Sequence, residues 1–180
     1  TETENIMRKT VDTLTMLRPS PYFGRVDIDE DGDEDTLYIG LASVQDKIGD
    51  FLVYDWRAPI SGIYYNGTLG AVTYPTPMGE QEAELLKKRQ FTIEDAQIVN
   101  MFDTNETVGD EMLQYALGQE NDLTMRNIVA TIQQEQNQII RDTTSDLLVV
   151  QGVAGSGKTS AILQRIAFLL FHAREELNSD

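Results

Sequence analysis

Eight consecutive residues, Gly152-Val153-Ala154-Gly155-Ser156-Gly157-Lys158-Thr159, have the types and spacing to hold a polyphosphate. They match the pattern G-x-x-x-x-G-K-[ST], and each position has a chemical reason. The glycines let the backbone curl so that successive N–H groups point inward at phosphate oxygens. A helix opening near Gly157 adds its positive dipole end. Lys158 is placed to sit between the β- and γ-phosphates, and the Thr159 hydroxyl to ligate Mg2+, which also needs carboxylate help from elsewhere. Lys158 and Thr159 are therefore the candidate catalytic residues, and Thr159 the metal contact through the nucleotide. Gly152, Val153, Ala154, Gly155, Ser156, Gly157, Lys158, Thr159 and Ser160 are the candidate nucleotide contacts. A chance glycine-rich turn would require the pattern and both of its flanks to coincide.

A second candidate stands upstream. Ile128, Ile132, Gln136, Ile139 and Ile140 fall on one face of a helix, so Gln136 takes a place reserved for an apolar residue and is expected to point inward. A glutamine amide can donate to N7 of adenine and accept from its N6 amino group, whereas guanine presents the wrong pattern there. The alternative is a buried glutamine bonded to backbone.

Two other segments imitate chemistry. Phe51-Leu52-Val53-Tyr54-Asp55 looks like a Walker B strand, but Walker B follows the phosphate loop in a chain and Asp55 precedes it. Asp55 is expected to be structural, with Arg57 stacking on an aromatic ring. Asp27-Ile28-Asp29-Glu30-Asp31-Gly32 matches the first six positions of an EF-hand calcium loop. Position twelve is Tyr38 where a bidentate Glu is needed, so a solvated acidic hairpin from Asp27 to Asp35 is expected instead.

The elements that must position these residues follow from periodicity. Ile6, Met7, Thr10, Val11, Leu14 and Leu17 predict a helix ending near Arg18, before Pro19-Ser20-Pro21. Short β-type runs follow: Phe23 to Ile28, Thr36 to Ala42, Phe51 to Tyr54, Ile60 to Tyr65 and Thr68 to Tyr74. Asn66-Gly67 is the expected hairpin turn between the last two. Glu80 to Arg89 is ambiguous between helix and strand, and its Lys87-Lys88-Arg89 triplet is expected on a solvated face. Met112, Leu113, Ala116 and Leu117 predict a short helix ended by Gly118. Met125, Ile128, Val129, Ile132, Ile139 and Ile140 predict a longer one. Leu147 to Val150 reads as a buried strand entering the loop. Ser160 to about Leu177 reads as a helix, with Ile162, Ile166, Leu169, Leu170 and Ala173 on one side.

Composition narrows the class. The 180 residues suffice for a real core, and no apolar run reaches the roughly 18 residues needed to span a bilayer. The first residues do not resemble a signal peptide, so a soluble cytoplasmic protein without membrane contact is expected. With no cysteine and one histidine, His172, disulfides, thiolate chemistry and a His-based metal site are set aside. Thirty acids against 14 bases give a net charge of −16, which repels a phosphate backbone. This segment alone is a poor grip for nucleic acid.

Ile132-Gln133-Gln134-Glu135-Gln136, with Lys158 of the glycine loop 22 residues further on, resembles the Q motif and motif I of superfamily 1 helicases of the UvrD/Rep type. Pro21-Tyr22-Phe23-Gly24-Arg25, Tyr38-Ile39-Gly40, Asp55-Trp56-Arg57-Ala58-Pro59-Ile60 and Gln133 to Arg141 together resemble the HelD-type, helicase-IV-like group. That resemblance implies an ATPase using Mg-ATP, with Gln136 recognising adenine, which binds RNA polymerase and helps release it from nucleic acid. Nucleic acid would be met through other parts of such a protein. The expected fold class is mixed α/β, an antiparallel β-rich segment joined to the start of a RecA-like P-loop motor domain (helix, strand, P-loop, helix). Residues 1–18 are expected to end a helical arm, 19–104 to form the β-rich part, and 105–180 to carry the Q-motif segment and the loop. Both ends look cut. With 21 residues after Thr159, the Walker B acid and later arginine motifs are missing, so the chain is expected to bind ATP weakly without hydrolysing it. A DNA helicase or translocase without a polymerase partner, and an acidic docking module with a vestigial loop, are the alternatives.

Overall fold

Pro19 and Pro21 follow directly on the first helix, α1 (Glu2–Leu17), because proline cannot continue the hydrogen-bond ladder. The computed structural model describes residues 2–103, 132 and 134–177, and the chain divides into two units, Thr1–Glu106 and Thr107–Asp180. In the first unit α1 is followed by β1 (Gly24–Glu30), β2 (Asp33–Gly40), β3 (Val44–Gln45) and β4 (Phe51–Asp55). A 3-10 turn (Pro59–Ser61) and a short helix, α2 (Gly62–Asn66), then lead to β5 (Gly70–Thr76), β6 (Gly79–Glu94) and β7 (Gln97–Asp103).

The architecture is mixed α/β around a mostly antiparallel sheet of seven strands, ordered β3-β4-β2-β1-β6-β5, with β7 also on β6. β2 and β4 are the exception and pair in parallel, Ile39 beside Tyr54 and Gly40 beside Asp55. Leu85 of β6 pairs with both Ile28 of β1 and Gly70 of β5, while Gln90 pairs with both Gly24 of β1 and Phe102 of β7. β5 and β7 therefore lie one after the other along one edge of β6, with β1 on its other edge. Alternate residues Val26, Ile28, Leu37, Ile39 and Val53 point to the buried face, where Phe23, Trp56, Ile63, Tyr64, Tyr65 and Phe91 complete the core. α1 buries only Leu17 and leaves Ile6, Met7, Val11, Leu14 and Met16 exposed.

Three sequence expectations change here. Ile60 to Tyr65 is not a strand: Pro59 opens the 3-10 turn, and α2 buries the three successive side chains Ile63, Tyr64 and Tyr65. A short apolar run carries no periodicity that separates a buried helix from a strand. Asn66-Gly67 is accordingly no hairpin turn. Gly67 is extended, with φ −73°, and donates its N–H to Ile63 O at 2.7 Å. A Cβ there would lie 2.4 Å from that oxygen, so glycine serves a close approach. Two-residue turns with positive φ fall instead at Asp31-Gly32, with φ 56° and 94°, which joins β1 to β2 in the acidic hairpin, and at Asp95-Ala96, with φ 48° and 62°, which joins β6 to β7.

The third change concerns Glu80 to Arg89, which is wholly strand. Its pairing with β1 skips one residue, Asp27 facing Lys87 and Ile28 facing Leu85, so a bulge shifts the inward set from Leu85 to Lys88 and Gln90. That spacing of three mimics a helix, which is why the sequence read ambiguously. Lys87-Lys88-Arg89 is a solvated face only in part: Lys88 is 0% exposed, whereas Lys87 and Arg89 stay partly exposed and Arg89 forks onto Asp103 at the surface, Nε to Oδ1 at 2.5 Å and Nη2 to Oδ2 at 3.0 Å.

In the second unit α3 (Gln134–Arg141) packs against α4 (Lys158–Leu177). The expected helix around Met112 to Leu117 and the residues Met125, Ile128 and Val129 lie outside the described residues. Leu147 to Val150 is not a strand, and Leu147 and Val149 are exposed. An isolated extended segment gains no ladder hydrogen bonds, and among the described residues no strand pairs with it. A RecA-like sheet is thus not formed among the described residues. α4 buries Ala161, Gln164 and Phe168, while on the expected apolar side Ile162, Ile166, Leu169 and Leu170 stay exposed and Ala173 is half-buried.

Lys88 donates Nζ to Gly67 O at 3.0 Å and lies 5.6 Å from the centre of the Tyr64 ring. Burial pushes its pKa down from 10.5 to about 8. That difference disfavours the charged form by about 3 kcal/mol. Because the folded pKa lies below the unfolded one, the unfolded chain binds more protons between them, and stability rises with pH across that window. The penalty is fully present below about pH 8 and fades as pH approaches 10.5. Tyr64 and Tyr74 are pushed up by burial, so their opposing contribution begins only above the ordinary tyrosine value of 10.0. Urea unfolding of the first unit should show stability increasing from pH 8 to 10, and Lys88→Met should flatten that slope; an unchanged slope would refute the assignment.

Candidate functional site

The glycine loop ends on the first turn of α4. Gly155 and Gly157 have φ 81° and 80°, a left-handed backbone that side chains rarely adopt. A Cβ at Gly157 would lie 2.5 Å from Gln136 Nε2, and one at Gly152 would lie 2.6 Å from Ser156 Oγ. Ser156 N–H donates to Val153 O at 3.2 Å and closes the loop on itself. Ala161 N–H donates to Gly157 O at 2.9 Å, the first bond of the helical ladder. The N–H groups of Lys158, Thr159 and Ser160 precede that bond and have no acceptor four residues back within the helix. Three donors at the positive end of a 20-residue helix make an anion-seeking locus.

Lys158 folds back over the loop. Its Nζ donates to Gly152 O at 2.7 Å and Val153 O at 2.6 Å, with Ser156 Oγ at 3.5 Å. Thr159 is exposed on the first turn of α4, Ser160 is half-buried, and Val153 and Ala154 are exposed at the loop's crest. Gln136, on α3, is half-buried and donates Nε2 towards Ser156 O at 3.5 Å. The structure therefore brings Gln136, Ser156, Gly157 and Lys158 together although 20 residues separate Gln136 from Ser156. The donor set suits a polyphosphate: a cation, orphan N–H groups and a backbone with no side chain in the way. Among the described residues no group of three or more His, Cys, Asp or Glu is placed to hold a metal ion.

The fully buried polar position on α3 is Asn137, next to Gln136, and the sequence pattern missed it. Its Oδ1 accepts from Arg141 Nε at 2.8 Å, and the Arg141 guanidinium lies 5.2 Å from the Phe168 ring centre on α4. The i to i+4 spacing of Asn137 and Arg141 was the available signal. Arg165 was also missed; it donates Nη1 to Ile139 O at 2.7 Å.

The Walker B imitation is resolved by geometry. The Asp55 carboxylate is buried and spent on Arg57, accepting from Nε at 2.9 Å, Nη2 at 2.7 Å and the backbone N–H at 2.8 Å. Its carbonyl accepts from Ser61 Oγ at 2.7 Å, so the segment through Trp56 is a structural corner between β4 and the 3-10 turn. In the acidic hairpin, Asp29 Oδ1 accepts from Gly32 N–H at 2.7 Å, and Asp27 is held by Arg25 and Thr36.

Residues 1–115 match the family described as DNA helicase IV HelD, N-terminal domain. The chain belongs to that family. The match spans the β-rich unit with its Trp56 corner and ends before the glycine loop, so the HelD assignment and the loop are independent observations. A comparison with curated proteins finds no match. At family level HelD membership makes this a helicase-related chain, and no helix among the described residues is long and apolar enough to cross a membrane.

Gly157→Ala places a methyl group into both a left-handed backbone and the Gln136 amide, at a cost of about 1–3 kcal/mol. Amide hydrogen exchange across residues 152–160 should accelerate in that variant; protection equal to the parent would contradict the geometry.

Proposed function

We propose that this chain supplies the ATP-binding beginning of a HelD-type, superfamily 1 motor that uses Mg-ATP to remodel RNA polymerase complexes or release them from nucleic acid. The observation that carries the reading is the meeting of Lys158, the glycine loop and the Gln136 amide at the N-terminus of α4, in a member of a helicase family. In this reading the Lys158 ammonium exchanges Gly152 O and Val153 O for phosphate oxygens, a stronger charge-assisted pairing. The N–H groups at the start of α4 donate to the same phosphates, and Thr159 turns its hydroxyl to Mg2+. Gln136 exchanges its long contact with Ser156 O for the adenine edge, which selects ATP over GTP. Mg-ATP, when bound, supplies the phosphoanhydride whose hydrolysis drives such a motor. The start of a RecA-like core, in which the exposed stripe of α4 and the run Leu147 to Val150 become buried, completes the reading.

The polymerase partner and the cytoplasmic setting rest on the HelD resemblance, and the family description itself names a DNA helicase. Nucleic acid is assigned to other parts of the protein because the charge of −16 opposes it here. Co-purification with RNA polymerase separates the polymerase-linked reading from a free DNA translocase.

Calorimetric titration of the purified chain should detect weak Mg-ATP binding that Lys158→Ala abolishes. Gln136→Ala should weaken ATP about tenfold and leave GTP within about twofold, the scale of one lost bidentate base contact. Equal losses for both nucleotides would remove Gln136 from base recognition, and binding indifferent to Lys158 would end the ATP reading.

A further inference from the structure

The two halves of the proposed ATP site stand on different helices, the base-reading Gln136 on α3 and the phosphate-holding Lys158 at the start of α4. Base selection therefore depends on how firmly α3 is held to α4. Arg165 lies seven residues after Lys158, about two turns along α4. Its Nη1 donates to Ile139 O at 2.7 Å and also to Asp142 O. Ile139 O is one of the last four carbonyls of α3, which have no partner within their own helix, and a guanidinium there also complements the negative end of the helix dipole. Ile139 is three residues from Gln136, within one helical turn. The chain leaving α3 is fixed at the same place, since Asp142 Oδ1 accepts from Thr144 N–H at 2.9 Å, Thr144 Oγ1 at 3.0 Å and Ser145 N–H at 3.2 Å.

We propose that Arg165 is a positioning residue for base recognition: it bolts the carbonyl end of α3 to α4 and so sets the reach of the Gln136 amide relative to the phosphate loop. This rests on the adenine reading of Gln136 given above. A bidentate amide contact tolerates little displacement, because hydrogen bonds weaken steeply once distance and angle leave their optimum. The phosphate contacts travel with α4 and do not need the bolt. Loss of Arg165 therefore acts on the choice of base and spares the hold on triphosphate, whereas a residue of merely structural importance would weaken both together.

The test is calorimetric titration of the purified chain and its Arg165→Met and Arg165→Lys variants with Mg-ATP and Mg-GTP, beside Gln136→Ala. Arg165→Met keeps the apolar stem and removes the donors. It should reduce ATP affinity by about tenfold and leave GTP within about twofold, with faster amide exchange over residues 134–141. Arg165→Lys keeps a cation that can reach a carbonyl and should retain an intermediate preference for ATP, which decides the matter if the Met variant does not fold. An Arg165 variant that keeps the full ATP preference, or that loses ATP and GTP equally, overturns the proposal. If the parent chain and Gln136→Ala bind both nucleotides alike, the adenine reading itself has failed, and the role of Arg165 falls with it.

Discussion

Strand β6 is the constraint on which the first unit depends. Its 16 residues carry β5 then β7 along one edge and β1 against residues 84–90 of the other, so three strands are hydrogen-bonded to it. Any neighbour must take the register that β6 dictates. One extra residue opposite the Asp27–Ile28 step rotates the strand's inward set and brings Lys88, an ionisable side chain, into the core. The core accommodates it with the Gly67 carbonyl, and Gly67 is there because α2 closes tightly enough that no Cβ fits. The bulge, the buried lysine and the glycine after α2 are thus linked features of one packing solution.

The second unit works on a different principle. α3 and α4 bury a small set of residues between them, Ile140, Asn137, Ala161, Gln164 and Phe168, and polar ties through Arg141 and Arg165 supply much of the specificity of their fit. A helix pair of this size has little apolar area to fix its geometry, so guanidinium contacts to carbonyl and amide oxygens take on an orienting role. The loop between the helices bends where glycine permits it, and it carries Lys158 into contact with backbone oxygens that a more strongly charged acceptor could replace.

HelD family membership rests on the β-rich unit, and the phosphate-loop chemistry rests on eight residues beyond that match. Neither depends on the other, and their agreement is what makes an ATP-driven helicase-type motor the best-supported reading. The Asp55 and Asp27 segments show the opposite case. Each has the residue types of a catalytic or metal site, yet Asp55 is engaged by Arg57, Asp27 by Arg25 and Thr36, and Asp29 by the Gly32 N–H.

Local physics was legible in the sequence. Proline after Arg18 and the short β-type runs around β1, β2 and β4 announced their elements, and Gly155 and Gly157 mark a loop whose backbone only glycine adopts readily, because each depends on residues within a few positions of itself. The failures share one cause. Ile60 to Tyr65 carries no clear period of two or 3.6, so only the partner it packs against selects helix over strand. The bulge in β6 erased the two-residue period that would have identified the strand and hidden Lys88. Leu147 to Val150 has the composition of a strand, but a strand exists only when another supplies its hydrogen bonds. Residue types and spacing determined which side chains could meet a phosphate, an adenine or a core. Tertiary structure alone decided the contact of Gln136 with the loop, the hold of Lys88 on Gly67 and the hold of Arg165 on α3, because each joins groups distant in sequence whose pairing no local pattern encodes.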